Sequence, residues 1–367
     1  LADAHTRHTT MLALFGSSLA LPDAVPIMGL PSQVYGVPAI YGGIEDYGSK
    51  FVAWKRQFAK LYKSAESETK AFAAFAANED KIRKHNAQLG HTYTLGHNMF
   101  SDLTADEFFA TKLGFAKNHT TRSTYARTTH VVNPNEAVAS SVDWVSAGAV
   151  TPVKNQNQCG GCWAFSATGA MEGAYFKSQG TLLSFSEEDL IQCNSGTDSG
   201  CNGGLMDNAF AWVESNGIAS ESAYPYTSGS GVTGSCSRSK ESNPVAYIGG
   251  YTDVTSNSKA ALMSAVAQQP VSIAIEADQS VFQLYSGGVM SSASCGTNLD
   301  HGVLVVGYNS GASTPYWTVK NSWGSSWGEN GYIRLGMADS GSGICGMYSE
   351  PSYPTQASPA STVESSA

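Results

Sequence analysis

The sequence QNQCGGCWAFS, residues 156–166, places two cysteines three positions apart in a glycine-rich turn that runs straight into an apolar segment. A Cys-x-x-Cys pair can be a redox dithiol, half of a zinc site, or one structural and one reactive cysteine. The apolar segment predicts a buried helix that begins at Cys162 and continues to Gly180. The choice between the three roles depends on the cysteines and histidines in the rest of the chain.

The remaining cysteines indicate disulfides and an oxidising compartment. All seven cysteines lie after residue 158, and an odd number suggests disulfides plus one free, reactive thiol. The run MLALFGSSLALPDA, residues 11–24, is typical of a secretory signal, and it is too short to span a bilayer. We therefore interpret residues 1–24 as a signal segment with an uncertain start, and we expect the secretory pathway, with a lysosomal, vacuolar or extracellular destination.

Composition and charge exclude several classes of protein. The chain is 42% hydrophobic and only 14% charged, which fits a loop-rich globular protein with a sizeable core. Residues 1–135 carry 14 Lys and Arg against 11 Asp and Glu, whereas residues 136–367 carry 7 against 19. The acidic second part argues against nucleic-acid binding. The basic first part could attract it, although solvated surface charge explains the split equally well.

The first part of the chain alternates between linkers and helices. Residues 25–45 have no period and are rich in Gly and Pro, which predicts a linker. Two helices are then predicted, one with Phe51, Trp54, Phe58 and Leu61 on a single face, and one from about Glu66 to Leu89 that buries Phe72, Phe75 and Ile82. Residues 113–137 are predicted to be an exposed linker that contains the N-glycosylation acceptor Asn118.

The second part begins with helices and continues with strands. Ser186 is a candidate N-cap of a short helix. Strands are predicted at VSIAIEA (271–277), HGVLVVGY (301–308), YWTVKNSW (316–323) and GYIRLG (331–336). This order predicts a two-part α+β body, followed by a small, polar and disordered tail over residues 355–367.

A reactive thiol needs a base, and His301 is the one histidine after residue 130. Alone, His301 would be interpreted as an ordinary buried histidine. However, Asn321 follows it in the motif KNSWG. A cysteine, a histidine and an asparagine can act together as nucleophile, base and orienting group. The alternatives are weaker. No strand of a βαβ unit precedes the pair, as a redox dithiol requires, and a zinc site would have to recruit Cys193 and Cys201.

CGGCWAFS closely resembles the nucleophile motif of papain-family cysteine peptidases, C-G-[SA]-C-[WY], although Gly161 departs from it. The resemblance extends from Ser140 to Pro354 through VDW, TPVKNQ, CNGGLMD, DHG, KNSWG and CGMYSEPSYP. It implies an α+β, papain-like two-domain fold over residues 138–354, with a helical left domain, a β-barrel-like right domain and a cleft between them. LMD is similar to cathepsin L, and no insertion resembles the occluding loop of cathepsin B, which implies an endopeptidase.

The first half resembles the inhibitory propeptide of the same family. The motif G-x-N-x-F-x-D is present as Gly96, Asn98, Phe100 and Asp102. The longer helical motif keeps Phe75, Asn78, Ile82 and Asn86, while Ser67 and Ala71 replace its leading Glu and Arg. This implies a helical inhibitory prodomain over residues 46–112 and an activation cleavage within residues 113–137.

The resemblance also assigns catalytic roles. Cys162 would be the nucleophile, as a thiolate favoured by the helix N-terminus and by a His301 cation, and Asn321 would orient the imidazole. Gln156 would donate its side-chain amide to the oxyanion, together with the Cys162 backbone N–H. Trp323 would cover the His–Asn hydrogen bond. Without the surrounding motifs, Gln156 would be interpreted as a surface turn residue and Trp323 as a residue of the hydrophobic core.

Substrate contacts are implied in the same way. Gly203 and Gly204 would let an extended peptide pair with the backbone. The substrate-binding residues implied by resemblance, with the pocket for the second residue before the cut (P2) among them, are Leu205, Met206, Ala274, Leu299, Asp300, Trp323 and Glu350. Apolar side chains would be preferred at P2, and a Glu350 carboxylate at the pocket floor would also accept arginine. The alternative is that Glu350 points to solvent.

The remaining expectations also follow from the resemblance. Its disulfides would be Cys159–Cys201, Cys193–Cys236 and Cys295–Cys345. No cofactor or metal is expected, and the partners would be peptide and protein substrates, the chain's own propeptide and cystatin-like inhibitors. We expect a monomer with no nucleic-acid binding and no membrane insertion. The alternative function is a catalytically silent homologue that binds peptides or inhibits peptidases, which the intact Cys162, Gln156, His301 and Asn321 argue against.

Overall fold

The structure is a computed structural model that describes residues 46–115, 128–132 and 137–360. The predicted signal segment, the first linker and Asn118 lie outside these ranges. The described α-helices are α1 (Tyr47–Gln57), α2 (Ala65–Asn86), α3 (Ala105–Lys112), α4 (Cys162–Gln179), α5 (Glu187–Cys193), α6 (Met206–Asn216), α7 (Arg238–Glu241), α8 (Lys259–Val266) and α9 (Ser280–Gln283). Of these described helices, none is long and apolar enough to cross a lipid bilayer.

Strands dominate the second part of the chain. They are β1 (Tyr93–Leu95), β2 (Thr128–His130), β3 (Ser141–Asp143), β4 (Ala246–Tyr247), β5 (Gly250–Val254), β6 (Val271–Ile275), β7 (Tyr285–Met290), β8 (His301–Asn309), β9 (Tyr316–Lys320), β10 (Tyr332–Gly336), β11 (Ser352–Thr355) and β12 (Ser358–Pro359). The four strands predicted from sequence correspond to β6, β8, β9 and β10, which confirms that prediction.

Ten of the strands form one sheet. Its order is β1-β7-β10-β9-β8-β6-β11-β5-β2, and β3 pairs with β8. Neighbours are antiparallel, except that β7 is parallel to β10 and β2 is parallel to β5. β4 and β12 form a separate antiparallel pair. The two edges of the large sheet are therefore strands from the first 130 residues, whereas its centre comes from the second part of the chain.

Helix α4 is the buried helix predicted from the opening motif. It begins at Cys162 and is capped by Gly180, whose left-handed φ of 71° suits glycine best. Most of its side chains are buried, because the helix lies between β8 and α6. Small residues let β8 approach closely, since a Cβ on Gly169 would lie 2.8 Å from Cδ2 of Leu304. The helix N-terminus is thereby fixed against the sheet.

The body has two hydrophobic cores. One lies among the strands and includes Ile273 and Trp317. The other lies around α4 and α6 and includes Trp163 and Phe210. Ser186 caps α5 as predicted, because its side chain accepts a hydrogen bond from the backbone N–H three residues on. A helical part followed by a strand-rich part confirms the α+β class.

Residues 46–112 form a small helical unit that docks on this body. Its helices α1 and α2 pack through Phe51, Trp54 and Phe75. The indole N–H of Trp54 donates to the carbonyl of Asn98 over 2.9 Å, which ties the helices to the segment that follows them. β1 then pairs with β7, so main-chain hydrogen bonds join the unit to one edge of the large sheet.

Both helix ends of this unit differ from the sequence-based prediction. α1 ends at Gln57, and Leu61 is 94% exposed instead of extending the apolar face. The reason is a turn after the helix, in which Ala59 has a left-handed φ of 49°. α2 ends at Asn86, so the predicted end at Leu89 is too late and that leucine is exposed.

The prediction of a disordered tail over residues 355–367 is wrong for residues 355–360. Thr355 ends β11, and β12 pairs with β4. Between the two strands Ala357 is buried, and its carbonyl accepts a 2.7 Å hydrogen bond from Oγ of Ser178. Small polar residues carry no periodic signal, but their backbone groups still complete a sheet. Residues 361–367 lie outside the described ranges.

The three expected disulfides are present and are Cys159–Cys201, Cys193–Cys236 and Cys295–Cys345. Cys162 is the free cysteine of the described residues and is buried. Because Cys159 is bonded elsewhere, the Cys-x-x-Cys pair is not a redox dithiol. Because Cys193 and Cys201 are oxidised, they have no thiolates to offer a zinc ion. The opening pair is one structural and one free cysteine.

Candidate active site

Cys162, the first residue of α4, is fully buried. The backbone N–H of Gly302, the residue after His301, donates to its Sγ over 3.4 Å. Burial raises the pKa of the Cys162 thiol to about 11, although the N–H groups of Gly302, Gly114 and Trp163 favour the thiolate. The thiol is therefore protonated at neutral pH in this state.

His301, the first residue of β8, is also buried. Its Nε2 lies 2.8 Å from Oδ1 of Asn321, which directly follows β9. The antiparallel pairing of β8 with β9 brings these two residues together. Burial lowers the pKa of His301 to about 4, and the hydrogen bond with Asn321 opposes this shift only in part. The imidazole is therefore neutral at neutral pH.

The amide of Asn321 fixes the tautomer of His301. Its Oδ1 also accepts a 2.8 Å hydrogen bond from the backbone N–H of Ser322. A backbone N–H can only donate, so the amide atom that faces both groups is the oxygen. His301 Nε2 therefore carries the proton, and Nδ1 is left as the basic nitrogen. Among the described residues, Nδ1 has no hydrogen-bond partner, so its lone pair is available.

Trp323 stacks on the imidazole, with 4.6 Å between the ring centroids of Trp323 and His301 and 25° between their planes. The indole is fully buried. Phe100 and Phe108 of the N-terminal unit pack edge-on against it, with ring centroids 5.6 and 5.2 Å away. Trp323 therefore lies between the imidazole and these rings and keeps water from that side of the ring.

Gln156 is buried beside the thiol turn and held at both ends of its amide. Its Nε2 donates to the carbonyls of Lys112 and Cys159 over 3.0 and 2.9 Å. Its Oε1 accepts a 2.7 Å hydrogen bond from Oγ of Ser322. The side-chain N–H group that sequence assigns to an oxyanion thus already binds a backbone carbonyl, that of Lys112.

The segment after Lys112 continues along the cleft by main-chain hydrogen bonds. The N–H groups of Gly114 and Phe115 donate to the carbonyl of Asp300 over 3.2 and 2.9 Å. The N–H of Gly204 donates to the carbonyl of Gly114 over 3.1 Å. Gly204 and Asp300, both expected to bind substrate, therefore bind the chain's own backbone here.

This approach is possible because the residues that meet are glycines. A Cβ on Gly114 would lie 1.9 Å from the carbonyl oxygen of Gly160, which is far inside van der Waals contact. Gly203 has a φ of 117°, and a Cβ there would lie 2.8 Å from the carbonyl oxygen of Gly114. Any larger side chain at these positions would push the segment out of the cleft.

The expected P2 pocket is apolar on its walls. Leu205, Met206 and Ala274 are buried, and Leu299 is half-buried. Phe115 packs against the hydrophobic core that includes Met206 and Ala274, as Leu299 does, and its backbone bridges to Gly204. The described geometry therefore brings together an apolar surface and the cleft backbone.

Glu350 differs from the sequence-based picture of a partly dry pocket floor, because the structure leaves it exposed. Pro351, the next residue, is buried, and its carbonyl accepts a hydrogen bond from the N–H of Val254. The backbone at Pro351 is thus anchored inward while the preceding side chain remains accessible. A carboxylate at this position stays hydrated instead of being enclosed by the apolar walls.

Two parts of the site were missed from the sequence. Ser322 holds both the Gln156 amide and the Asn321 amide, and its position inside KNSWG was the available signal. The segment from Lys112 to Phe115 lies along the cleft, but it was assigned to the end of the prodomain and to the linker that follows it. A glycine followed by an aromatic residue is too common a pair to identify a cleft-binding segment.

A buried cluster of charges lies under the site and was also missed. Nζ of Lys154 lies 3.1 Å from Glu172 and 2.6 Å from Glu187. Lys320, which precedes Asn321, donates to Oγ1 of Thr151, and the same hydroxyl donates to Glu172. Burial raises the pKa of Glu187, and Lys154 opposes that shift. The cluster links α4 and α5 to β9, the strand that ends at Lys320.

Comparisons with known proteins agree with this geometry. Residues 138–355 match the papain family cysteine protease domain, and residues 51–108 match the cathepsin propeptide inhibitor domain. The senescence-specific cysteine protease SAG39 of Oryza sativa subsp. indica is 46% identical over 308 residues, which cover 82% of this chain and 88% of that protein. The cysteine endopeptidase Rep1 of Oryza sativa subsp. japonica is 46% identical over 295 residues, or 78% of each chain.

Solved structures of precursors superpose on the chain over most of its length. Recombinant stem bromelain precursor has a TM-score of 0.75 and 36% identity, and the match covers 84% of this chain and 98% of that one. Digestive procathepsin L 3 of Tenebrio molitor larval midgut has a TM-score of 0.75 and 39% identity, and the match covers 84% of this chain and 99% of that one.

The protonated state of Cys162 predicts how the full-length chain reacts with alkylating reagents. A pKa raised from 9.0 to about 11 keeps the group a thiol below that pH, so iodoacetamide should react slowly at pH 7. The rate should rise by roughly tenfold per pH unit up to about pH 10. Alkylation rates between pH 6 and 10 measure this. A fast rate that is flat from pH 6 to 8 would contradict it. Unfolding without reductant should expose one thiol, and Cys162→Ala should expose none.

Proposed function

Because this chain belongs to the papain family of cysteine proteases and is a zymogen with a propeptide inhibitor domain, we propose that Cys162 and His301 form its catalytic pair. Asn321 orients the imidazole and Gln156 stabilises the oxyanion. The observation that carries the proposal is the chain of contacts from Asn321 Oδ1 to His301 Nε2 and from the N–H of Gly302 to Cys162 Sγ. These contacts join the nucleophile, the base and the orienting group.

The reaction begins when the propeptide leaves the cleft. Water then reaches the two groups, and the burial that keeps both neutral is relieved. The proton of Cys162 moves to His301 Nδ1, which gives a thiolate at a helix N-terminus beside an imidazolium. The tautomer set by Asn321 favours this transfer, because Nε2 already carries a proton and Nδ1 is the free base.

The thiolate attacks the scissile carbonyl carbon, and the carbonyl oxygen becomes an oxyanion. Nε2 of Gln156 and the backbone N–H of Cys162 donate to that oxygen. The imidazolium of His301 protonates the leaving amine, and a thioester remains on Cys162. His301 then takes a proton from water, which attacks the thioester and releases the second product. The hydrogen bond from Gln156 to the carbonyl of Lys112 supports this use of its amide.

Inhibition by the propeptide uses the same groups. Its residues 112–115 engage the Gln156 amide, the Gly204 N–H and the Asp300 carbonyl, all of which we assign to substrate binding. We therefore assign residues 46–112 to the inhibitory prodomain and place activation cleavage within residues 113–137, ahead of a peptidase domain at 138–354.

Substrate choice follows from the apolar walls. The contact of Phe115 with the core that contains Met206, Ala274 and Leu299 supports a preference for apolar P2 side chains. Glu350 would add tolerance for arginine at P2. Because its carboxylate is exposed, we expect a modest contribution of the size found for hydrated ion pairs.

Acid should release the propeptide because protonation destabilises the fold of the propeptide itself. Burial lowers the pKa of His97, whose ring stacks on Phe75 with 4.1 Å between centroids, and Glu79 opposes only part of that shift. Burial also lowers the pKa of His85. Although burial raises the pKa of Glu79, hydrogen bonds from Lys50 and His97 hold it below its ordinary value. Protonation of these groups therefore costs folding free energy.

The remaining parts of the proposal concern its setting. Three disulfides favour folding in an oxidising compartment, so we propose the secretory pathway, with a lysosomal, vacuolar or extracellular destination. The named endopeptidase Rep1 among its relatives supports endopeptidase action on peptides and proteins. Cystatin-like proteins are candidate inhibitors, and the enzyme is proposed to act as a monomer without a cofactor.

Substitution of the catalytic pair tests the reaction. Cys162→Ala should abolish hydrolysis, and His301→Ala should lower kcat/KM by at least about 10³-fold, because the two groups act as a unit. Each variant is processed with pepsin, pepsin is blocked with pepstatin, and hydrolysis of a short peptide panel is measured. His91→Ala, an exposed propeptide histidine, is the matched control and should keep full activity. Activity in Cys162→Ala would contradict the mechanism, and an inactive wild type would favour the silent homologue.

Two peptides that differ only at P2 test Glu350. Glu350→Ala should lower kcat/KM for the Arg peptide by about fivefold, as for a hydrated ion pair, and leave the Phe peptide unchanged. The ratio of Arg to Phe cleavage in the wild type should be higher at pH 6.5 than at pH 4.5, because only an ionised carboxyl binds the guanidinium. Asp339→Ala, which removes another exposed carboxylate, should leave both unchanged. Equal losses for both peptides would show that Glu350 does not contact P2.

The propeptide histidines predict the pH dependence of activation. A histidine whose folded pKa is lowered stabilises the fold fully above the unfolded value of about 6.5, and that stability is lost as pH falls below it. Processing should therefore accelerate below pH 6.5, and His97→Gln should weaken the acceleration between pH 6.5 and 5. The size reduction of both zymogens by the same trace of mature enzyme is compared at each pH, with Leu89→Gln, at a fully exposed propeptide position, as the control. If the ratio of the wild-type rate to the His97→Gln rate stays constant from pH 6.5 to 5, His97 does not contribute to the pH dependence of activation.

A further inference from the structure

The strand β2 occupies the edge of the large sheet opposite to β1. Thr128, Thr129 and His130 pair in parallel register with Thr252, Asp253 and Val254 of β5. The other side of β5 is already paired with β11. Without β2, β5 would therefore be an edge strand with unpaired main-chain groups, which is a ready template for an extended peptide.

His130 enters the body from this strand and is buried. Its Nδ1 lies 2.8 Å from the hydroxyl of Tyr353 in β11, and its Nε2 lies 3.0 Å from the hydroxyl of Ser264 in α8. The imidazole also meets the Tyr353 ring edge-on, with 5.7 Å between centroids. Two strands and a helix of the peptidase body thus form a pocket that satisfies both ring nitrogens.

Further contacts extend the same site along β2. Oγ1 of Thr128 lies 2.6 Å from Oγ1 of Thr252. Val132 packs against the core that includes Val254, Leu262 and Tyr353. Thr128 and Thr129 are both exposed, whereas His130 is buried. The side-chain contacts described here come from residues 128, 130 and 132, which is every second residue, as expected for a strand-addition site.

The site is remote from the catalytic groups. In the sheet order β8, which begins with His301, is separated from β2 by β6, β11 and β5. Four strand spacings place β2 about 19 Å from β8. A segment bound here cannot contact Cys162, so its binding is independent of the cleft.

We propose that the β5 edge and the His130 pocket form a second peptide-binding site, which residues 128–132 occupy in the zymogen as a latch. Its ligand is an extended peptide with a hydrogen-bonding aromatic ring at its third residue. The propeptide and its linker then hold the peptidase at three places, namely β1 on β7, residues 112–115 in the cleft, and the latch on β5. Linked weak contacts of this kind bind far more tightly than any one alone.

The latch deepens the proposed zymogen function but does not depend on the catalytic roles. Its first test uses the full-length Cys162→Ala chain, which cannot process itself. Hydrogen exchange of the segment 250–254 should be about tenfold faster in His130→Ala, as expected when hydrogen bonds of ordinary net strength are lost. Exchange at Gly204, which binds the cleft segment, should be unchanged. Thr129→Ala is the matched control and should behave like the parent.

Two further variants keep the test decisive. His130→Phe retains the ring but loses both hydrogen bonds, so it should fall between the parent and His130→Ala even if the alanine variant folds poorly. With Cys162 intact, His130→Ala should process severalfold faster than the parent at pH 5. Unchanged exchange at 250–254 in both variants would overturn the latch, whether or not the wild type proves to be an active peptidase.

The mature enzyme tests the site as a binding site. Acetyl-Thr-Thr-His-Val-Val-amide at millimolar concentration should slow exchange at 250–254 and leave hydrolysis of a short substrate unchanged, and the same peptide with alanine for histidine should not protect. Competition with substrate without protection at 250–254 would show that the peptide binds only in the cleft and would overturn the proposal.

Discussion

The close packing of helix α4 against strand β8 is the constraint on which the candidate site depends. A Cβ on Gly302 would lie 3.1 Å from Sδ of Met206 and 3.3 Å from the carbonyl oxygen of Cys162. Oγ of Ser166 donates to the carbonyl of Val303 over 2.7 Å, which locks the helix to the strand. The first residue of a helix and the first residue of a strand are thus held side by side, and these two residues are the proposed nucleophile and base.

The burial that holds these groups together also keeps them inactive. In the zymogen the pKa of Cys162 is raised to about 11 and that of His301 is lowered to about 4, so neither is charged between those values. In the proposed mechanism, the ion pair needs water or a substrate dipole to stabilise it. The propeptide would exclude the water, and its residues 112–115 would occupy the place of the substrate. It would then control both access to the site and the charge state within it.

Motifs with fixed local geometry were predictable from sequence, whereas features set by tertiary contacts were not. The start of α4 at Cys162 follows from a glycine-rich turn before an apolar run, and the contact between His301 and Asn321 was expected from motifs at strand ends. Ser322 was missed because its two partners lie far away in sequence. The sequence left two positions open for Glu350, at the pocket floor or toward solvent, because the choice depends on how Pro351 is anchored. The ordered residues 355–360 were missed because main-chain pairing with β4 does not require a periodic pattern of apolar side chains.

The contacts that dock the propeptide differ in kind from those that fold it. Docking at β7, Gly204 and Asp300 relies on main-chain hydrogen bonds, which do not titrate. The ion pairs described for residues 46–115 instead join prodomain residues to each other, as Glu79 does with Lys50 and with His97. Acid therefore weakens the internal fold of the prodomain before it weakens the interface. Because β1 belongs to the same unit as the helices, loss of the helical unit also removes the support of the strand beside β7. We therefore propose that the titrating step lies within the prodomain and not in the charge difference between residues 1–135 and 136–367.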